Sequence, residues 1–159
     1  MADECTVRKA VRADCKDIWE MFLQLQAIEN IPPEQAKLSK ETLQRDGFDC
    51  SPPLFHCIVA ESGGVAIGYA LYSYQYSTYE GGLELRIADL FVKELYRRKG
   101  VGKLLFEALI EEAKQQKAVG IEWMVLNWNH NAIKFYQTFG ARDLTITEKV
   151  HNFRVALSE

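Results

Sequence analysis

The sequence predicts an α/β (α+β) fold, a central mixed sheet with helices on both faces. Three observations carry that expectation. Apolar residues recur at helical spacing in Ile18, Met21, Phe22, Leu25 and Ile28, and again in Val101, Leu104, Leu105, Ala108, Leu109 and Ala113. β-rich runs fill Leu54 to Ala60, Val65 to Tyr76 and Leu83 to Val92. The second helical pattern leads into a short apolar run, Ile121 to Leu126, so the strands on either side of that helix should run parallel across a crossover.

In chain order, Thr6-Val7-Arg8 reads as a short extended piece. Asp14 is placed to cap a helix over roughly Cys15 to Ile28, which Pro32-Pro33 prevents from continuing. Ser39 should cap a second, short helix over Lys40 to Asp46, with Gly47 at the position just past its end. Glu61-Ser62-Gly63-Gly64 is a hairpin signal between the first two β runs. In the next strand, strict alternation puts Glu84, Arg86 and Ala88 on one face and Leu85, Ile87 and Asp89 on the other. Asn129 should cap a helix bearing Ala132, Ile133, Phe135 and Tyr136, closed by Gly140, and Val150 to Leu157 reads as a last strand. The expected order is β-α-α-β-β-β-α-β-α-β.

The chain has 159 residues, 48% of them hydrophobic and 26% charged, which suits one packed globular domain over residues 1–159. Its net charge of −3 gives no general attraction to nucleic acid or to an anionic membrane, and no apolar run reaches a membrane span. Met1-Ala2-Asp3-Glu4 is too acidic for a targeting peptide. Cys5, Cys15, Cys50 and Cys57 lack metal-ligand spacing, and His56, His130 and His151 are scattered, so the expectation is reduced thiols, a cytoplasmic protein and no metal.

The basic cluster is therefore local. Arg97-Arg98-Lys99-Gly100-Val101-Gly102-Lys103 falls where a strand gives way to a helix. Two glycines and several cations at a helix start leave outward-pointing amides at the positive end of the helix dipole, which suits a phosphate or pyrophosphate.

The string Asp89-Leu90-Phe91-Val92 followed by Tyr96-Arg97-Arg98-Lys99-Gly100-Val101-Gly102 resembles the acyl-CoA pyrophosphate motif of the GNAT acetyltransferase superfamily. The segment from Asn127-Trp128-Asn129 to Gly140-Ala141 resembles the second half of that fold's cofactor site. More narrowly, Ala13-Asp14-Cys15, Asp46-Gly47-Phe48 and Phe55-His56-Cys57-Ile58-Val59-Ala60-Glu61 are similar to the diamine acetyltransferases (spermidine/spermine N1-acetyltransferases) and their thialysine-acetylating relatives.

The resemblance implies the GNAT fold and an acetyl-CoA-dependent N-acetyltransferase acting on a primary amine of a small molecule, by direct attack within a ternary complex. Acetyl-CoA would lie along Leu90, Phe91 and Val92, with its pyrophosphate on Arg97, Arg98, Lys99, Gly100, Val101, Gly102 and Lys103. Asn129, His130, Asn131 and Ala132 would flank the remainder. Tyr136 would be the acid toward the departing sulfur, and Ile28, Glu29 and Glu148 would meet the amine. A homodimer is also implied. Where the diamine acetyltransferases carry a Glu-Asp pair, this chain has Ala88-Asp89, and strict alternation points Asp89 to the wrong face to take over. Arg86 could neutralise Glu84 beside it. That departure leaves open a weaker polyamine site, a different small amine, an acyl-CoA-binding module with little catalysis, or a protein N-acetyltransferase.

Overall fold

The computed structural model describes residues 4–157. Part of the acidic start, Met1 to Asp3, and the final two residues of the 1–159 span lie outside them. The chain forms two compact units, split after Met124.

In the first unit, β1 (Cys5–Lys9), β2 (His56–Ser62), β3 (Val65–Ser77), β4 (Gly82–Val92) and β5 (Gly120–Glu122) make one sheet in the order β1-β2-β3-β4-β5. Neighbours are antiparallel except β4 and β5, which are parallel across the helical crossover. β2 and β3 meet at a two-residue turn whose Gly63 and Gly64 both have positive φ. β2 starts two residues later than the apolar run in the sequence, at His56, and β5 is only three residues long.

Helices cover both faces. α1 (Cys15–Ile28) and α2 (Lys40–Gly47) bury Cys15, Ile18, Met21 and Leu43 against Cys57, Val59, Ala66, Tyr69 and Phe91. α3 (Val101–Gln115) buries Val101, Leu105, Phe106, Leu109 and Ala113 on the opposite face, where Ile58, Ala60, Ala70 and Tyr72 alternate with the residues facing α1. Each fully buried aliphatic or aromatic side chain contributes about 1.5–3 kcal/mol, so this two-sided core holds the sheet between its helices.

Two local expectations are corrected. Asp14 precedes α1 but does not cap it. It closes a 3₁₀ turn (Arg12–Asp14), and its carboxylate accepts from the Val11 amide at 2.7 Å and from both Arg8 Nη atoms at 2.8 and 2.9 Å. Gly47 is the last residue of α2, not the residue past its end, and a Cβ there would come within 2.3 Å of the Phe55 ring. Close approach, not a left-handed turn, requires glycine at that point. Ser39 does cap α2, accepting from the Thr42 amide at 3.1 Å.

In the second unit, α4 (His130–Gln137) starts at Asn129, whose Oδ1 accepts from the Ala132 amide at 3.2 Å, and Gly140 follows it with φ +78°. The expected last strand is not formed: Val150 to Leu157 has no regular structure, and a five-residue helix, α5 (Leu144–Glu148), precedes it. A β-rich sequence alone does not make a strand without an edge to pair with.

Candidate active site

β4 carries the central irregularity of the sheet. Its register with β3 is Leu71↔Asp89 and then Tyr72↔Ile87, so Ala88 is an extra residue without a partner, a β-bulge. Leu71 and Tyr72 are consecutive and face opposite sides; their partners Asp89 and Ile87 do the same. Leu71 packs with the cluster under α1, whereas the ring system containing Tyr72 reaches Glu112 of α3. The bulge thus turns Asp89 onto the α1 face, the side of Glu84 and Arg86, while Ala88 is exposed. This overturns the alternation argument: Asp89 does not share a face with Ile87.

Asp89 is met there by Tyr69. Tyr69 is fully buried, and its hydroxyl donates to Asp89 Oδ2 at 3.1 Å. Burial raises the Asp89 carboxyl above its usual range, and the Tyr69 hydrogen bond pulls it partly back. Glu29, the residue after α1, is also raised, first by burial and then by the Asp89 charge. The Asp89 charge disfavours ionisation of Glu29, so the two carboxyls form a site that a cation would neutralise. Ile28, beside Glu29, is 41% exposed.

Glu84 is not neutralised by Arg86. Gln75 Nε2 donates to Glu84 Oε2 at 3.0 Å and to Glu122 Oε2 at 3.2 Å, and Arg86 pairs with Glu122 at 3.8 Å. Here β5 ends its pairing with β4: the ladder runs only from Glu84↔Gly120 to Arg86↔Glu122. From Ile87 to Val92 no strand among the described residues pairs the outer edge of β4, which leaves the main-chain groups of Leu90 and the Val92 amide on that edge for a ligand. Phe91 itself points into the core at 4% exposure, and its main chain faces Tyr69 of β3.

At the end of β4 a 3₁₀ turn (Glu94–Tyr96) leads to the basic loop. Arg97 turns back: its Nε donates to the Val92 carbonyl at 2.7 Å and its guanidinium lies over the Phe91 ring. Lys99 lies over Tyr96, and Lys103 pairs with Glu107 at 3.8 Å. Arg98 (φ +61°) and Gly100 (φ +84°) both take the left-handed conformation just before α3. The first amide to bond within α3 is that of Leu104, donating to the Gly100 carbonyl at 3.0 Å. The amides of Val101, Gly102 and Lys103 therefore have no acceptor inside the helix, and the space where a Gly100 side chain would stand is open. An anion of phosphate type fits this cradle on its donors, its dipole and its room.

The second unit holds the remaining sequence candidates. Asn129 is engaged as the cap of α4, on which His130, Asn131 and Ala132 form the first turn. Tyr136 lies edge-on to Phe135 at 5.3 Å, and burial pushes its phenol up to about 12. Glu148 is the exposed last residue of α5. Among the described residues no group of three or more His, Cys, Asp or Glu side chains is placed to hold a metal ion.

Tyr69 and the bulge were not anticipated from the sequence. A signal existed for the first: an acid embedded in Ile87-Ala88-Asp89-Leu90-Phe91, an otherwise apolar run, requires a buried partner. The bulge has no such mark, since one inserted alanine leaves hydrophobic content unchanged.

The chain also resembles known proteins. It is 37% identical to thialysine N-epsilon-acetyltransferase of Sus scrofa over 156 residues, covering 93% of this chain and 90% of that one. It is 31% identical to spermidine/spermine N(1)-acetyltransferase-like protein 1 of Homo sapiens, covering 96% of this chain and 22% of that longer protein. A solved structure of AAC(6′)-Iy in complex with a bisubstrate analogue superposes with a TM-score of 0.78 at 18% identity, covering 96% of this chain and 99% of that one, which establishes the shared fold. The sequence model of the acetyltransferase (GNAT) family matches residues 19–141, so that the bulged β4, the open strand edge and the amide cradle at α3 are those of an acetyltransferase, and the chain belongs to the GNAT family.

Proposed function

We propose that this protein transfers acetyl from acetyl-CoA to a primary amine of a small cationic molecule, with a thialysine-like amino acid preferred over a polyamine. The observation that carries this reading is the pair of carboxyls Glu29 and Asp89 on the α1 face, Asp89 lying in β4 next to the unpaired edge. Relatives named thialysine N-epsilon-acetyltransferase, and an Arabidopsis thaliana protein named L-ornithine N5-acetyltransferase that is 40% identical over 78 residues, support the substrate class.

Acetyl-CoA supplies an activated acetyl thioester. The amides of Val101, Gly102 and Lys103 hold phosphate charge, while the open edge beside Leu90 orients the acyl chain. An alkylammonium of pKa about 10.4 is about 3.4 units from its neutral form at pH 7, a cost of roughly 4.6 kcal/mol. Glu29 and Asp89 bind the ammonium, and Asp89 accepts a proton so that nitrogen can attack the carbonyl carbon. As the C–N bond forms and the C–S bond breaks, nitrogen loses its second proton and sulfur gains one, for a net release of one proton.

Tyr136 serves the sulfur. Its phenol, at about 12, is a weaker acid than a thiol of about 8.5, so complete proton donation runs uphill by roughly 5 kcal/mol. Tyr136 therefore acts chiefly as a hydrogen-bond donor to the developing thiolate, and the proton that finally settles there comes from the amine.

Steady-state kcat/KM across thialysine, ornithine, lysine, putrescine, spermidine, spermine and a histone-like peptide tests this reading. Thialysine or ornithine is expected to rank first, and a clear preference for spermidine would overturn it. Ala88 favours one second reading, an acyl-CoA-binding module. Tight acetyl-CoA binding with no product from any amine in the panel would establish that module instead.

A further inference from the structure

A cavity of about 400 Å³ opens in the first unit, where β1 ends and β2 begins, beneath the last turn of α3. Its position is remote from the amide cradle. Glu112 lies twelve positions along the chain from Gly100, about 18 Å at 1.5 Å per residue. Its walls are unusually aromatic. The His56 imidazole stacks on Tyr72 with centroids 5.5 Å apart and meets Tyr74 edge-on at 5.7 Å, and Phe48 lines the same space. Glu112 is held beside these rings, because its Oε1 accepts from the Tyr74 hydroxyl and from Gln116 Nε2, both at 3.3 Å.

We propose that this cavity binds a small organic cation, an alkylammonium or quaternary ammonium, at a site separate from the acetyl-transfer machinery. The volume lies within the range of small-molecule pockets. Aromatic faces attract a cation through their quadrupole and shed water from its methyl groups, while one fixed carboxylate supplies the counter-charge. Both tyrosines remain neutral: burial and then the Glu112 charge raise Tyr72, and the same causes bring Tyr74 to about 12. Lys9, exposed on the lining, is the one opposing charge there. Its charge disfavours a dication more than a monocation.

NMR titration of the full chain with choline, reading the ring protons of His56 and Tyr74, tests the proposal. Choline has no N–H and is not an acceptor for N-acetyl transfer, so its binding is separable from turnover. Saturable shifts are expected at those rings, with the uncharged isostere 3,3-dimethylbutanol binding about tenfold more weakly. Glu112→Gln should weaken choline by about tenfold while leaving acetyl transfer unchanged, and Lys9→Met should tighten it. Glu112→Gln sits on a helix surface and is expected to fold; Tyr74→Leu, checked for folding by circular dichroism, should also weaken the choline-induced shift at the His56 ring. Equal affinity for the neutral isostere, no saturable shift, or a shift abolished by Glu29→Gln and untouched by Glu112→Gln would each overturn the proposal.

Discussion

The Tyr69 hydroxyl donates to Asp89 Oδ2 at 3.1 Å across the β3–β4 pair, and the two residues are not direct neighbours in its register: Tyr69 opposes Phe91 and Asp89 opposes Leu71. The contact is diagonal and exists only because the Ala88 bulge brings Asp89 onto the face where Tyr69 is buried. An acid in that position would otherwise be costly, since an ionised carboxyl under a hydrophobic helix needs a donor. The hydrogen bond supplies one donor and leaves the second oxygen for a ligand.

Replacing Tyr69 with Phe removes the one influence that lowers Asp89. Burial then acts alone, so the carboxyl rises further. Because the proposed ammonium site needs Asp89 ionised, the acid limb of kcat/KM for the amine should move to higher pH in Tyr69→Phe, and KM for the amine at neutral pH should rise severalfold. KM for acetyl-CoA should stay constant. An unshifted acid limb would remove Tyr69 from the positioning of Asp89.

Much of the architecture was legible because it follows from periods. The α1 stripe of Ile18, Met21 and Leu25, the paired glycines at 63 and 64 and the crossover helix after Gly102 were placed by spacing and turn chemistry alone. The basic loop was legible for the same reason, since glycines at a strand-to-helix junction have a backbone function. What escaped was set by tertiary context. Ala88 breaks the alternation without changing composition. Arg86 chooses Glu122, a residue 36 positions away on a strand it meets in space, over Glu84 on its own strand. Val150 to Leu157 has strand-forming residues and no strand. In each case a partner distant in sequence decides the outcome.

Arg8 and Asp14 make a testable stability device. Asp14 is 7% exposed, and the Arg8 hydrogen bonds are the leading cause of its lowered pKa. Its native value lies below its unfolded one, so its contribution is present above about pH 4 and is lost as pH falls through the native value. Arg8→Met leaves the carboxylate desolvated with the Val11 amide as its remaining donor. Urea unfolding at pH 7 should show a loss of about 2–4 kcal/mol, shrinking toward pH 3 as Asp14 is protonated. A loss independent of pH would mean that packing by the Arg8 stem, not the ion pair, is responsible.

Gly100 separates binding from folding at the cradle. Its φ of +84° disfavours a side chain by about 1 kcal/mol, while the space beside it is open. Gly100→Ala should therefore fold with a small loss of stability and place a methyl group where an anion approaches the Val101 to Lys103 amides. KM for acetyl-CoA should rise by about tenfold with kcat nearly unchanged. A fall in kcat with KM constant would show that the loop acts on the chemistry and not on the cofactor's phosphates.

Tyr136 offers the sharpest test of the mechanism, because its two possible contributions leave different traces. If the phenol stabilises the departing sulfur, Tyr136→Phe should lower kcat by about 10²-fold and spare acetyl-CoA binding, the usual size of such an effect. The raised phenol pKa of about 12 adds a second signature. A tyrosine that must stay protonated sets the basic limb of the rate profile, and here that limb lies near pH 12, beyond the loss of other functions. Between pH 7 and 10 the wild-type rate should therefore show no decline from Tyr136, and the ratio of wild-type to Tyr136→Phe turnover should be constant across that range. A ratio that collapses toward one by pH 10 would mean that the phenol ionises early and that burial does not hold its proton. Unchanged turnover at every pH would reduce Tyr136 to a packing residue of α4, and a thiol-based product assay on the two proteins decides among the three outcomes.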